Sequence, residues 1–338
     1  MLTYAEAIGQ GLVQAMAADE SIYVLGAGVA DPKGIFGTTK VAHDRWPARV
    51  IETPLSENML TGACLGMALE GLRPVLVHAR NDFLMLTMDQ LVNNIAKWQY
   101  MSGGKVAKLP IVIRALIGRG WGQGPQHSQA LHAMFAHIPG LRVVMPVFGR
   151  DAKSMLAGAL RRDEPTIFLE SRRLYDTQDS RWQWIYQGSR VETSGRDCTV
   201  VAIGAAAMDA WDACCILAAQ DIRVGLHIPE VLKPLNISSI LTSISRTGRL
   251  VVIDHAYPFC GLAGEIIAQC AEQGLTWRSP PVRMTCPDYP CGSAQSYEQA
   301  YYPTTEAIVK KVCALLNVEP IDIGSMVKDG ESSFRGPF

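Results

Sequence analysis

The chain has 338 residues, 48% of them hydrophobic, which suits two globular domains with sizeable cores. Its formal net charge of −1 gives no electrostatic reason to bind nucleic acid or an anionic membrane. No apolar run reaches the roughly 18 residues of a membrane span.

Residues 3–19 read as a helix. Thr3 and Glu6 have the spacing of a capping box, and Ile8, Leu12, Val13 and Met16 form one apolar stripe. The N-terminus lacks a basic stretch leading into an apolar core. No signal peptide is therefore expected, and the cytoplasm is the expected compartment. A short strand follows at 22–25. The loop 26–40 contains glycine but neither G-x-G-x-x-G nor a P-loop, so a plain connection is expected. Val50 and Ile51 open a buried strand, which Pro54 stops because it lacks a backbone donor. A helix over 55–69 places Gly62 and Gly66 on one face, where another helix could approach closely. Glu57 then sits in a first helical turn at the C-terminal end of a strand. Ligands bind there in open α/β sheets. A carboxylate at that position also simply complements the helix dipole.

Strands are predicted at 74–79 and 111–116, both nearly all apolar and so buried on two faces. Between them, Met88, Leu91, Ile95 and Trp98 mark one side of a helix over 87–101. A glycine-rich loop, 118–125, contains Trp121 and leads to His127. Glycine permits close approach to a ligand, and histidine can shuttle protons near neutral pH. A strand at 142–145, a helix at 151–161 and a strand at 167–170 complete the first unit. Strands are next predicted at 199–203, 223–228 and 250–254. Helices are predicted at 205–219, 237–245, 261–273 and 304–316, with an edge strand within 280–290.

Strands alternating with helices define the expected fold: α/β, two three-layer αβα domains with mostly parallel sheets. The expected boundaries are 1–175 for the first domain, 176–196 for a linker and 197–320 for the second domain. The linker holds Trp182, Trp184 and Tyr186 among charges, without a period. Residues 321–338 form a polar tail, expected to be ordered only by contact with another chain. The nine cysteines are scattered without C-x-x-C spacing, so reduced thiols are expected rather than a metal site or disulfide framework. His78, His132, His137, His227 and His255 are expected in core or surface roles.

Seven motifs occur in order: Pro54-Leu55-Ser56-Glu57, Gly71-Leu72-Arg73-Pro74, Asp82-Phe83, Met88-Asp89-Gln90, Tyr100-Met101-Ser102-Gly103-Gly104, Gln126-His127-Ser128-Gln129 and His137-Ile138-Pro139-Gly140-Leu141. This series resembles the beta subunit of the decarboxylase component of 2-oxoacid dehydrogenase complexes, which act on pyruvate, branched-chain 2-oxoacids or acetoin. The resemblance is strongest over residues 3–170 and looser to 312. It implies a transketolase-like pyrimidine-binding domain followed by a transketolase C-terminal-like domain, with thiamine diphosphate as cofactor. By position it gives Glu57 the carboxyl that hydrogen-bonds the aminopyrimidine and Phe83 the stacking face. It sets His127 beside the thiazolium and the incoming lipoyl group. Asp89 matches an acidic residue near the subunit interface and is counted with Glu57 and Phe83 among the implied cofactor-binding residues, with capping or salt bridging nearly as simple a role.

The resemblance also implies partners. The Gly-Asp-Gly stretch with a downstream Asn, which holds the diphosphate through Mg²⁺, is absent from this sequence. The chain then carries no metal ligands of its own. It is expected to be half of a site that an alpha subunit completes, in a tetramer of two alpha and two beta chains, docked to a lipoyl acyltransferase core. The implied activity is oxidative decarboxylation of a 2-oxoacid with acyl transfer to a lipoyl carrier. The alternative is a split transketolase-like or acyloin-forming enzyme without a lipoyl partner. Three stretches depart from the family. Gly26-Ala27-Gly28 stands where Gly-Glu is usual, and His78-Ala79-Arg80-Asn81 replaces a more hydrophobic segment. There Arg80 could face an anionic substrate. Arg161-Arg162-Asp163-Glu164 replaces a segment that binds potassium in some relatives, so no such ion is expected.

Overall fold

The computed structural model describes residues 2–106, 108–118, 122–182, 185–186, 189–190 and 195–323. Trp121, Trp184 and the tail beyond residue 323, all singled out from the sequence, lie outside these. In chain order the elements are α1 (Tyr4–Ala18), β1 (Ile22–Gly26), α2 (Lys40–Arg45), β2 (Val50–Glu52), α3 (Glu57–Leu69), β3 (Arg73–His78), α4 (Trp98–Met101), β4 (Val112–Ile117), α5 (His132–His137), β5 (Arg142–Val144), α6 (Gly149–Arg161) and β6 (Thr166–Ser171). After a small hairpin, β7 (Ile185–Tyr186) and β8 (Ser189–Arg190), come β9 (Cys198–Ala202), α7 (Ala206–Ala219), β10 (Val224–His227), β11 (Val231–Lys233), α8 (Ser238–Thr247), β12 (Leu250–Asp254), α9 (Leu262–Ala271), β13 (Val282–Thr285), α10 (Gln295–Tyr301) and α11 (Thr305–Leu316).

These elements form two compact units. The first comprises residues 1–118, 131–179 and 230–234, and the second 119–130, 180–229 and 235–338. The first unit has a seven-stranded sheet in the order β11-β5-β6-β4-β3-β1-β2. All neighbours are parallel except β11, which runs antiparallel to β5. Strand β4 is buried throughout, and so is β3 from Pro74 onward, as mostly apolar strands in a parallel sheet should be; the charge within β4, Arg114, is the exception. The predicted capping box forms: Thr3 Oγ1 accepts from the Glu6 amide at 3.2 Å, and Glu6 Oε2 accepts from the Thr3 amide at 2.8 Å. Helix α1 then buries Tyr4, Ile8, Leu12 and Met16 and lies against α6. The second unit has a four-stranded, fully parallel sheet, β10-β9-β12-β13. Its edge strand β13 is only partly buried. The expected α/β class with mostly parallel sheets is thus the observed one.

One local expectation fails for an identifiable reason, and two other features were not foreseen. The regular helix expected over 87–101 is a 3₁₀ turn (Phe83–Thr87), a π-helical turn (Asp89–Asn94), a second 3₁₀ turn (Ile95–Lys97) and only then α4. The carboxamides of Asn93 and Asn94 bond back to Asp89 and Gln90 and consolidate the wide turn. The loop before α2 is a connection with an unusual backbone. Gly34, Ile35, Phe36 and Gly37 are all left-handed, with φ of 50°, 43°, 55° and 92°, a strained choice for β-branched Ile35. The strand β11 is three residues long, too short to announce itself by period, and joins the first sheet from late in the chain.

A charge pair lies inside the first sheet. Arg114 Nε donates to Glu170 Oε1 at 2.5 Å and Nη2 to Oε2 at 3.1 Å, and both side chains are 0% exposed. Arg114 Nη2 also donates to Thr38 Oγ1 at 2.9 Å, and the Tyr175 hydroxyl donates to Glu170 Oε2 at 2.7 Å. Burial disfavours the guanidinium charge, but Glu170 more than offsets this and the Arg114 pKa ends above its usual value. Glu170→Ala should therefore cost about 3–5 kcal/mol, because it leaves a buried charge unpaired. The double change Arg114→Met with Glu170→Leu should recover most of that. Denaturant unfolding of both variants would show it, and equal losses would refute this reading.

Glu230, ahead of β11, accepts from the Val147 amide at 2.6 Å and the Phe148 amide at 3.3 Å. Burial nevertheless pushes its carboxyl from 4.5 up to about 7, with Asp151 adding to the rise. The folded chain then keeps a proton that the unfolded chain releases, so this carboxyl makes stability fall as pH rises from about 4.5 to about 7. Glu230→Gln, which retains an acceptor, should flatten that fall. Melting temperatures at pH 5 to 8 would test it, and parallel profiles for the two proteins would contradict it.

Candidate active site

Strands β2 and β3 flank β1 in parallel, so their C-terminal ends emerge on one edge of the sheet. From β2 the chain passes through Thr53-Pro54-Leu55-Ser56 into α3. Glu57 is the first residue of that helix, at its positive end, and is half-buried. From β3 the chain passes through a polar turn into the 3₁₀ turn that opens with Phe83. Helix α3 packs on both this turn and the π turn. Glu57, Phe83 and Asp89 therefore sit on mutually packed elements of the first unit. Phe83 is 40% exposed, which suits an aromatic face offered to a ligand better than core packing. Asp89 is exposed and accepts from Gln90 Nε2 and Asn93 Nδ2, each at 3.0 Å. Its visible work is local, holding the π turn.

The turn before Phe83 is firmly fixed. Asn81 is fully buried, donates its amide to the Leu116 carbonyl at 2.6 Å and accepts from the Leu131 amide at 3.1 Å. Arg80 is 5% exposed, and its Nη1 donates to the Gly118 carbonyl at 3.4 Å, so it is turned into the protein. Burial lowers the His78 pKa to about 4, which keeps that ring neutral at physiological pH. On β1, Gly26 has φ of 153°, and a Cβ there would meet the Val77 carbonyl at 2.4 Å. Next to it, Glu52 accepts from the Gly28 and Ala30 amides at 2.5 and 3.0 Å. The loop that carries Gly26-Ala27-Gly28 is thus held by a carboxylate from the neighbouring strand.

A Cβ at Gly62 would meet Gln90 Oε1 of the same chain at 3.2 Å, whereas Gly66 has nothing within 4 Å.

His127 belongs to the second unit and is half-buried. Its loop is tied down by residues that the sequence did not single out. The Gly122 amide donates to Glu298 Oε2 at 2.6 Å, and the Tyr302 hydroxyl donates to the Ser128 carbonyl at 3.4 Å. Tyr302 stacks edge-on against His255 at 5.2 Å, and His255 lies 3.8 Å from Asp209. The glycines permit close approach, as expected, but what approaches is Ser293: a Cβ on Gly124 would lie 2.4 Å from its Oγ. Among the described residues no group of His, Cys, Asp or Glu could hold a metal ion.

Comparison with known proteins gives the family of the chain. The family described as the transketolase pyrimidine-binding domain matches residues 1–178, and the transketolase C-terminal domain matches residues 188–308. The chain belongs to the transketolase family. It is 35% identical to the acetoin:2,6-dichlorophenolindophenol oxidoreductase subunit beta of Cupriavidus necator, covering 89% of this chain and 94% of that one. It is 34% identical to the pyruvate dehydrogenase E1 component subunit beta of Rickettsia bellii, covering 92% and 98%. A solved split-gene transketolase, an inactive tetramer of beta chains, superposes with a TM-score of 0.72 at 20% identity, covering 94% and 99%, and shares the fold.

The His127 loop gives a direct test. Gly124 has φ of +71° and no room for a Cβ beside Ser293. Gly124→Ala should cost about 1–3 kcal/mol. Ser293→Ala in the same chain should return the part due to the clash but not the part due to φ. A thermal-melt double-mutant cycle would measure both, and strict additivity would refute the contact.

Proposed function

We propose that this chain is the beta subunit of a thiamine-diphosphate-dependent 2-oxoacid dehydrogenase, decarboxylating a 2-oxoacid and passing the acyl group to a lipoyl carrier. The observation that carries the reading is Glu57 at the first turn of α3, on an element packed against the turn that exposes Phe83. The relatives named as pyruvate and acetoin enzyme beta subunits support it.

The residues fit the pyrimidine half of the cofactor. A carboxyl and a 40% exposed aromatic ring leave one sheet edge from neighbouring crossovers. When bound, thiamine diphosphate supplies an electron sink for the carbon that loses carbon dioxide. Glu57 would hold a proton at a carboxyl oxygen against a ring nitrogen, and Phe83 would orient the ring by stacking. His127 would give or take a proton on the substrate side. The diphosphate and its Mg²⁺ would be held by an alpha subunit. We propose two alpha and two beta chains, docked on a lipoyl acyltransferase core. Exposed apolar side chains on α3, its lead-in and the turn packed against it favour such a partner: Leu55, Met59 and Leu86 are 80%, 55% and 58% exposed. All nine cysteines are free, which suits a reducing compartment, and we propose the cytoplasm. No helix among the described residues is long and apolar enough to cross a membrane.

Glu57→Gln decides the assignment. It preserves shape, so the complex with its alpha subunit should assemble and bind cofactor nearly as before. The rate constant should fall by about two to four orders of magnitude, the usual worth of acid–base assistance. Hydrogen–deuterium exchange at the reactive cofactor carbon should slow in parallel. Unchanged exchange in the variant would remove the role given to Glu57.

A further inference from the structure

The first unit contains a pocket of about 270 Å³ that takes no part in the reaction proposed above. Leu109, Arg142 and Pro165 line it, and they sit at the N-terminal ends of β4, β5 and β6. It therefore opens at the sheet edge opposite the one that carries Glu57 and Phe83. Lys233 enters from β11, whose antiparallel pairing brings its C-terminal end to the start of β5.

The pocket is a fixed construction. The Leu109 amide donates to the Asp163 carbonyl at 2.9 Å, and the Arg142 amide donates to the Pro165 carbonyl at 3.0 Å. Gly140 has φ of +89°, and a Cβ there would come within 2.0 Å of the Ala96 carbonyl, so only glycine allows these two walls to meet. Ile95, Ala96, Leu109 and Leu141 are buried and give an apolar lining, with Tyr100 beside them.

The charges around this lining are unequal. Asp163 is already engaged by Arg73 at 2.8 Å and by Lys108 at 3.5 Å, and Arg73 also reaches Asp19 at 3.3 Å. Glu164 is held by Arg162 at 3.1 Å and only loosely by Arg142 at 3.6 Å. Burial and Arg162 both disfavour the charge on Arg142, and Glu164 answers them only in part. Lys233 is half-buried and has no carboxylate within salt-bridge distance among the described residues. Arg142 and Lys233 thus line a hollow of mixed polar and apolar character together with Asp163 and Glu164; because those two carboxylates are held mainly by other cations, the combination suits a singly charged anion with a hydrocarbon body. A phosphate would leave the apolar walls unused, and its second charge would oppose Asp163 and Glu164.

We propose that this pocket is a binding site for a small aliphatic carboxylic acid, its carboxylate between Arg142 and Lys233 and its chain against Ile95, Leu109 and Leu141. A cavity of about 150 Å³ accepts benzene, so this one takes a ligand of about six to ten non-hydrogen atoms. The site stands on the geometry of the first unit alone and is independent of the thiamine chemistry.

Calorimetric titration of the full chain with hexanoate, and with hexanamide as its neutral counterpart, tests the site. Hexanoate should bind saturably, and hexanamide about tenfold or more weaker, because it lacks the charge that Arg142 and Lys233 recognise. Lys233→Gln and Arg142→Gln should each weaken hexanoate by a similar factor, while Lys310→Gln, on α11 and not among the lining residues, should not. Val106→Phe keeps every charge and fills the space. It should abolish binding in a chain with unchanged circular dichroism, and it keeps the test valid if a charge variant fails to fold. No saturable binding to the unaltered chain would overturn the site, as would equal affinity for the amide or full affinity in Val106→Phe.

Discussion

The first unit is organised around a buried guanidinium–carboxylate pair. Arg114 on β4 and Glu170 on β6 lie on adjacent strands in the middle of a sheet covered on both faces, with neither side chain exposed. Such a pair adds little net stability, because removing both charges from water offsets their attraction. What it does impose is position. Through Arg114 it reaches Thr38 and so anchors the left-handed run Gly34–Gly37. Through Glu170 it fixes Tyr175, whose ring lies 6.0 Å from that of Tyr4. Tyr4 in turn donates to the Pro146 carbonyl at 2.9 Å, beside the amides that Glu230 caps. One charge pair thus sets the register of two strands, a strained loop, the first helix and the approach to α6.

A sheet fixed in this way has two different edges. At the C-terminal edge the crossovers are short and polar, and they present Glu57, Phe83 and the π turn. At the N-terminal edge the strand starts, the Gly140 turn and β11 enclose a hollow of mixed polar and apolar character, lined by charges of both signs. Parallel strands cause this division, since every crossover must return the chain to the same edge. Chemistry at one edge can therefore vary without disturbing the other.

Much of this was legible in the sequence, and the failures have physical causes. Helix α1 and the central strands were readable because their burial follows a simple period or a mostly apolar run. Residues 87–101 misled because Met88, Leu91, Ile95 and Trp98 keep helical spacing, while the carboxamides of Gln90, Asn93 and Asn94 reshape the backbone between them. Strand β11 was invisible because three residues carry no period. Glu57, Phe83 and His127 were singled out through ordered motifs, not through composition. The supports of His127 were missed because Ser293, Glu298 and Tyr302 come from far along the chain. The pocket at the N-terminal edge was missed for the same reason, since its walls converge from separate segments.

The exposure around Glu57 completes the physical argument. A dry setting helps a carboxyl that is to share a proton with a ring nitrogen, the role proposed for Glu57, and in this chain Glu57 is only half-buried. The residues that would dry it are already in place: Leu55, Met59, Phe83 and Leu86 are all exposed apolar side chains on the elements around it. Covering them with another chain buries apolar surface and desolvates the carboxyl in one step. Assembly and activation would then be the same event, which ties the chemistry of the site to the presence of its partner.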